Sequence, residues 1–163
     1  MRQGCAHAAT AVTAVPAPVD VCEACVEIGS TWVHLRQCLT CGRTLCCDNS
    51  PNRHMTGHYR EVGHPIMRGA GPGDDWTWCY VDDAMIRETD QGWVTYDPFL
   101  ETGAIVAGQE VAAGRSLDIA EDAVTAQGFP IGDWVAFVRA AHADGSLIEE
   151  DAALVEAIPG WTW

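Results

Sequence analysis

The chain has 163 residues, and its 9 basic residues against 23 acidic ones give a net charge of −14. This length suits one mid-sized domain or two small ones, and so acidic a surface repels nucleic acid and anionic lipid at long range. Because no signal peptide follows Met1 and no apolar run reaches about 18 residues, the sequence predicts a cytoplasmic protein without membrane spans.

Charge and chemistry both change near residue 83, which predicts two domains. Up to Asp82 there are six Arg against eight acidic residues, and from Asp83 onward three Arg against fifteen. The sequence therefore predicts one domain at 1–82, a linker at 83–92 and a second domain at 93–163. All basic residues are Arg, which, with the abundant Ala, Gly and Asp, favours a bacterial origin.

Potential metal ligands crowd into the first 82 residues. Zinc takes four ligands from thiolate, imidazole and carboxylate, and a Cys-x2-Cys turn aims two sulfurs at one ion. Disulfides are the alternative, but they are typical of short secreted chains and do not come with nearby histidines. Twelve ligands would fill three closed, structural zinc sites. They are Cys5, His7, Cys22, Cys25, Cys38, Cys41, Cys46 (with Cys47 beside it), His54, His58, His64, Cys79 and Asp82.

The elements predicted between these ligands are short. A helix over 52–62, capped by Asn52, would place His54 and His58 one turn apart on one face. Alternation and β-forming residues predict strands, which lie at 31–37, just after Gly42, at 65–68 and at 76–81. The predicted class is α+β, a small zinc-stapled sheet with one helix followed by a small all-α bundle of three to four helices.

The helices of that bundle are predicted from the acidic second half of the chain, from Asp83 onward. The first begins at Pro98 and ends near Ala113, and a less regular one covers 117–126. Asp133 would cap the next helix, and Ser146-x-x-Glu149 would form a capping box for the last.

The ligand pattern over residues 5–82 resembles the UBP-type zinc finger of ubiquitin-specific proteases. The shared features are C-x-H, C-x2-C, C-x2-C-x4-C, H-x3-H-x5-H-P and W-C-Y. The resemblance implies three interleaved zinc ions. Their ligand sets would be Cys5, His7 and Cys79 with Asp82; Cys22, Cys25, Cys46 and His54; and Cys38, Cys41, His58 and His64.

Three positions depart from that family. Asp82 replaces a Cys, so the first site either uses a carboxylate or binds through three ligands. Cys46-Cys47 replaces Cys-Gly, and either thiol could be the ligand. Asp48 stands where ubiquitin-binding members hold a tail carboxylate with Arg, and an acid there would repel it.

The resemblance also implies a peptide pocket. Trp78 and Tyr80 flank Cys79 as the family pattern expects, and Trp32 is a candidate for another wall. The alternative is that these rings only cover a core that is mostly metal. Arg36, Arg43 and Arg53 are candidates to replace the missing anchor.

Residues 93–163 resemble the helicase-associated domain, best in the terminal Pro-Gly-Trp-x-Trp. That resemblance implies contact with nucleic acid, which needs Lys or Arg at each phosphate. Only Arg115 and Arg139 are present, so Trp134, Trp161 and Trp163 are interpreted as core residues.

No enzyme motif occurs, so the leading hypothesis is a non-catalytic zinc-binding adaptor that recognises a protein or peptide C-terminal tail. One alternative is a nucleic-acid-associated accessory protein linked to a helicase, which the net charge disfavours. The other is a zinc-thiol redox sensor that uses the Cys46-Cys47 doublet.

Overall fold

The computed structural model describes residues 4–163 and divides the chain into two compact units. The first ends at Tyr96, and the second begins at Asp97. The first contains a six-stranded antiparallel sheet and the second is helical, so the predicted α+β class is confirmed. None of the helices within 4–163 has the length and apolar character that a bilayer crossing requires.

The first unit builds its sheet from short strands. Its elements are α1 (Ala6–Ala11), α2 (Glu23–Glu27), β1 (Leu35–Cys38), β2 (Thr44–Cys46), α3 (His54–Val62), β3 (Ile66–Gly69), β4 (Thr77–Cys79), β5 (Ala84–Thr89) and β6 (Gly92–Tyr96). The strand order is β2-β1-β3-β4-β5-β6, with every neighbouring pair antiparallel. The one helix that the sequence predicted is α3, and α1 and α2 are additional short helices that begin at ligand cysteines.

Helix α3 begins later than the sequence predicted. Arg53, with φ 50°, precedes it in the left-handed region, and Asn52 does not cap it. The Asn52 amide instead donates to Ser30 Oγ at 2.6 Å and to Cys25 Sγ at 3.6 Å. Asn52 therefore contacts both the metal ligand Cys25 in α2 and the loop that follows α2.

The predicted linker at 83–92 is wrong, because this stretch forms most of a β-hairpin. Strands β5 and β6 are paired along five positions, and the first pair is Met85 with Tyr96 and the last is Thr89 with Gly92. Ile86 of β5 is fully buried, whereas the acidic residues of this stretch, Asp83, Glu88 and Asp90, are exposed. The first unit therefore extends past the predicted boundary to Tyr96.

The second unit packs three helices around one tryptophan. They are α4 (Pro98–Ala112), α5 (Ile131–Ala143) and α6 (Glu149–Glu156). Trp134 is fully buried, and its indole N–H donates to Leu100 O at 3.1 Å. At the start of α4, the Asp97 carboxylate accepts the N–H groups of Phe99 and Leu100.

Three predicted features of this unit are wrong. Residues 117–126 are irregular, with a turn at 121–122, rather than a helix. Tertiary contacts of Leu117 and Ile119 with the core outweigh a weak local preference. Helix α5 begins at Ile131, so Asp133 lies in its first turn and does not cap it. Ser146 donates its hydroxyl to Ala141 O instead of forming a capping box.

The close contact between α4 and Trp134 can be tested with a matched pair of glycines. A Cβ at Gly103 would lie 2.0 Å from the Trp134 ring, whereas one at Gly108 would meet nothing within 4 Å. We expect Gly103→Ala to lower the free energy of unfolding by about 1–3 kcal/mol through overpacking. Gly108→Ala should raise it by about 0.5–1 kcal/mol, because Ala loses less backbone entropy. Urea unfolding of the full chain, followed by circular dichroism at the helical band, measures both, and equal effects would contradict this packing.

Candidate metal centres and adjoining pocket

The twelve predicted ligands converge in three groups, and in each group the potential ligand atoms all lie within 4.8 Å of one another. The groups follow the division that the family resemblance implies. Site 1 is Cys5, His7, Cys79 and Asp82; site 2 is Cys22, Cys25, Cys46 and His54; site 3 is Cys38, Cys41, His58 and His64.

Site 2 is the most enclosed of the three. Cys22 caps α2 and Cys25 lies in its first turn, while Cys46 ends β2 and His54 begins α3. His54 Nδ1 lies 3.4, 3.3 and 3.5 Å from the three sulfurs in chain order, and the Cys25 and Cys46 sulfurs are 3.8 Å apart. Tetrahedral zinc bonded at about 2.3 Å to sulfur and about 2.0 Å to nitrogen requires separations of about 3.5–3.8 Å. The donor set therefore fits zinc.

Site 3 joins a strand to a helix. Cys38 ends β1 and Cys41 lies in the following turn, while His58 projects from α3 and His64 follows the helix. Cys41 Sγ lies 3.4 Å from His58 Nε2, and Cys38 Sγ lies 3.7 Å from His64 Nδ1. Burial first, and then the charge of His64, lower the pKa of His58. Both effects favour the neutral imidazole that a metal requires.

Site 1 includes the carboxylate that departs from the family pattern. Cys5 caps α1 and Cys79 ends β4, which brings together two segments far apart in sequence. Asp82 Oδ1 lies 3.1 Å from His7 Nδ1, and Asp82 Oδ2 is buried without a hydrogen-bond partner among the described residues. An orphaned buried carboxylate oxygen is costly unless a cation meets it. Asp82 therefore fits as the fourth ligand.

The pKa shifts of Cys5 and Asp82 also favour a cation in site 1. Burial, followed by the hydrogen bond to Asp82, raises the pKa of Cys5 to about 12. The pKa of Asp82 is lowered, chiefly by its hydrogen bond with Cys5. A thiolate therefore forms at Cys5 only when a cation replaces its proton, and zinc would supply that charge.

The structure separates the two thiols of the doublet. Cys46 points into site 2, whereas Cys47 Sγ lies 3.4 Å from Ser50 Oγ and 3.9 Å from His34 Nδ1. Burial raises the pKa of the Cys47 thiol, but hydrogen bonds from Ser50 and from backbone groups outweigh it and bring the pKa to about 7. Cys47 belongs to no metal cluster among residues 4–163, and it lines a pocket instead.

This pocket, which we call the aromatic pocket, is a cavity of about 270 Å³ lined by residues of β1, β3, β4 and β5 and of the adjoining loops. It contains Trp78 and Tyr80 from the predicted peptide site. Its lining residues are Arg36, Cys47, Asp48, Asn49, Met67, Trp76, Trp78, Tyr80 and Met85. Trp32 was predicted to supply another wall, but it lies in a neighbouring hollow with Arg53. Of the three candidate anchors, only Arg36 lines the aromatic pocket.

Arg36 is held by Asp74 and Trp76, two residues that the sequence did not single out. Its guanidinium lies 4.4 Å from the centre of the Trp76 ring and 3.6 Å from the Asp74 carboxylate. Asp74 also accepts the Trp76 indole N–H at 3.3 Å and the Gly71 N–H at 3.0 Å. A Cβ at Gly69 would lie 2.5 Å from Asp74. The glycines of this loop are therefore the sequence feature that could have indicated a close contact here.

The Tyr80 side chain is already engaged within the unit. Its ring stacks on Tyr59 at 4.6 Å, and its hydroxyl contacts Thr56 Oγ1 at 3.1 Å and Met67 Sδ at 3.4 Å. Burial raises the pKa of the Tyr80 hydroxyl, and the negative charge of Asp48 raises it further. Tyr80 therefore contributes a neutral, fixed wall.

Residues 22–91 match a family model described as a Zn-finger in ubiquitin-hydrolases and other protein. The solution NMR structure of protein RPA1320 from Rhodopseudomonas palustris is 46% identical, and the match covers 60% of this chain and 95% of that chain with a TM-score of 0.47. No curated protein gives a significant match. The family match and the ligand clusters identify the first unit as a zinc-binding module, and the predicted resemblance is confirmed over 22–91. The helicase-associated resemblance of 93–163 stays a prediction.

The adjacent cysteines offer a matched test of the ligand assignment. We expect protein purified without chelator to contain three zinc ions, and Cys46→Ser to lose about one of them because site 2 drops to three ligands. Cys47→Ser should keep the full zinc content, since its sulfur faces Ser50 and His34. Elemental analysis and native mass spectrometry measure the stoichiometry, and equal zinc loss in both variants would contradict the assignment.

Proposed function

We propose that the zinc-binding module is a non-catalytic adaptor that holds an extended protein or peptide C-terminal tail in the aromatic pocket. The observation that carries this proposal is one cavity that combines indole rings with a guanidinium. Trp76 and Trp78 provide flat apolar walls, and Arg36 provides a charged group suited to a carboxylate. Arg36 comes from β1, whereas Trp76 and Trp78 come from β4 and the residue before it, so the guanidinium and the indole rings meet only in the folded unit.

The metal sites support the proposal because each adjoins the pocket through the chain. Trp78 precedes the site 1 ligand Cys79, Asp48 follows the site 2 ligand Cys46 by two residues, and Arg36 precedes the site 3 ligand Cys38 by two. In this proposal the metals act as structural supports that preorganise a binding surface. All three sites have four potential ligands, which leaves no open position for substrate on a zinc ion.

Arg36 is well placed to meet the carboxylate of the tail. Its contact with Asp74 and its stacking on Trp76 hold the guanidinium in one position with 17% of the side chain exposed. Arg43 instead pairs with Glu27, and Arg53 lies in the neighbouring hollow. A fixed guanidinium loses less entropy on binding than a mobile one.

The helical unit is proposed to dock a second protein partner, and its charges disfavour nucleic acid. Residues 97–163 contain twelve acidic residues and two Arg. Arg115 pairs with Glu110, and Arg139 lies 5.4 Å from the centre of the Trp161 ring. The nucleic-acid hypothesis would need free cations to release counterions, so we place it second. The redox hypothesis is placed third and involves Cys47 alone, because Cys46 lies in site 2 and only Cys47 lines the pocket.

Tail binding can be tested with a fluorescent peptide that ends in Leu-Arg-Gly-Gly. We expect the free acid to bind, and its C-terminal amide to bind about tenfold more weakly, because a charge-assisted hydrogen bond contributes about 1.5–3 kcal/mol. Arg36→Gln should weaken binding of the acid by a similar factor and should remove the difference between acid and amide. Fluorescence anisotropy measures both affinities.

Arg43→Gln is the matched control, since Arg43 lies outside the pocket. It should leave the affinity unchanged, and zinc content should be equal in all variants. Equal affinity of acid and amide for the unmodified protein would refute carboxylate recognition by Arg36.

A further inference from the structure

Site 1 differs from the other two metal centres in the chemistry of its ligands. Sites 2 and 3 contain only thiols and imidazoles, whereas site 1 has the carboxylate of Asp82 in the fourth position. Zinc prefers the softer thiolate, and a carboxylate suits harder cations such as magnesium and calcium. Site 1 is also accessible to water and to competing ligands, since 39% of the His7 side chain and 17% of the Asp82 side chain are exposed. Both properties favour dissociation of an ion from this site.

Site 3 has an exposed ligand as well, but it is tied to site 2. Cys41 is exposed, yet the site has no carboxylate, and its ligand His58 lies one turn from the site 2 ligand His54 on α3. An ion in site 2 therefore keeps α3 in the position that site 3 requires. Site 1 instead takes its ligands from the start of α1 and from the end of β4 and the turn after it. Neither element carries a ligand of the other two sites, so site 1 can empty on its own.

An ion in site 1 would fasten residues 4–12, which we call the strap, to the sheet. Helix α1 of the strap has six residues, of which only Ala8 is buried, and a helix this short is not stable by itself in water. The strap meets β6 at one β-bridge, in which the Cys5 N–H donates to Trp93 O at 2.8 Å. The metal ligands Cys5 and His7 therefore supply most of its attachment.

The strap covers apolar side chains of the sheet. Ile66 of β3 and Ile86 of β5 are fully buried, and Leu39 is 6% exposed. These three side chains form one cluster with Ala8 of the strap, and Trp93 packs against it. Movement of the strap away from the sheet would expose this cluster, and a contiguous apolar surface of that kind is a potential interaction site.

The chain after the strap is held to the sheet by bonds that require no metal. The Thr13 N–H donates to Leu39 O at 2.9 Å, and Thr13 Oγ1 donates to Thr40 O at 2.9 Å. The buried Gln37 amide donates to Pro16 O at 2.8 Å. These bonds mark a fixed point from which the strap can move.

We infer that site 1 is an exchangeable zinc site and that the strap opens when its ion is lost, while sites 2 and 3 stay loaded. Zinc supply then decides whether the apolar cluster under the strap is covered or exposed. Asp82 sets how readily the ion is released, since a thiolate at this position would bind zinc more strongly. This role is separate from whatever ligand the aromatic pocket binds.

Chelator titration of the full zinc-loaded chain tests the order of release. Native mass spectrometry counts the ions that remain, and hydrogen–deuterium exchange locates the segments that lose protection. We expect the first ion to leave with a loss of protection in residues 4–12, while α2 and α3 stay protected until the other two ions leave. Loss of all three ions in one step, or loss of protection first in α2 or α3, would overturn the inference.

Three variants test the role of Asp82. Asp82→Ala should lose about one zinc ion on purification, because removal of even a residue that only orients a ligand lowers metal affinity by about 10–100-fold. Its strap should exchange without chelator. Asp82→Cys should release its first ion only at a chelator concentration about tenfold higher than the unmodified chain requires. Asp83→Asn changes the exposed neighbouring acid and should behave like the unmodified chain.

Two results with these variants would also overturn the inference. One is release of the first ion at the same chelator concentration from Asp82→Cys and from the unmodified chain. The other is retention of three ions and a protected strap in Asp82→Ala, because Asp82 would then contribute nothing to the site.

Discussion

The first unit depends on one electrostatic condition: buried thiolates and a partly buried carboxylate must be met by a cation. Six of the seven proposed cysteine ligands are buried, and one hydrophobic cluster consists largely of them, namely Cys22, Cys25, Cys38, Leu45, Cys46 and Met55. Only two of those six have ordinary hydrophobic side chains. This cluster and a second small one around Ile66 and Ile86 contain few large apolar side chains. We therefore expect metal binding to supply much of the folding free energy of this unit.

The same metal sites would also make the aromatic pocket rigid. Its walls are short strands and loops, and each lining residue lies within three residues of a proposed metal ligand. A glycine-rich loop completes the wall, because Asp74 holds both Arg36 and Trp76 in place. In the proposed function, structural metals and a preorganised binding surface are thus parts of one arrangement.

The sequence was most informative where chemistry restricts spacing. Ligand pairs and the His54–His58 turn predicted residues that the structure brings together, because few backbone arrangements satisfy tetrahedral coordination. Prediction was poorer where tertiary contacts decide. The hairpin of β5 and β6 was missed because acidic residues mask its alternation around Ile86, and 117–126 lacks its predicted helix. Trp76 is placed in the pocket by its hydrogen bond to Asp74 and its contact with Arg36, which no local sequence pattern reveals.

Helix α3 carries a ligand of site 2 and a ligand of site 3 one turn apart, at His54 and His58. An ion bound at either site therefore fixes the helix that the other site needs, and the second ion is bound at a smaller entropic cost. We therefore expect uptake of these two ions to be positively cooperative, with a coupling free energy that acts equally in both directions. At limiting zinc, such coupling would divide the population mainly between molecules with both sites empty and molecules with both sites loaded.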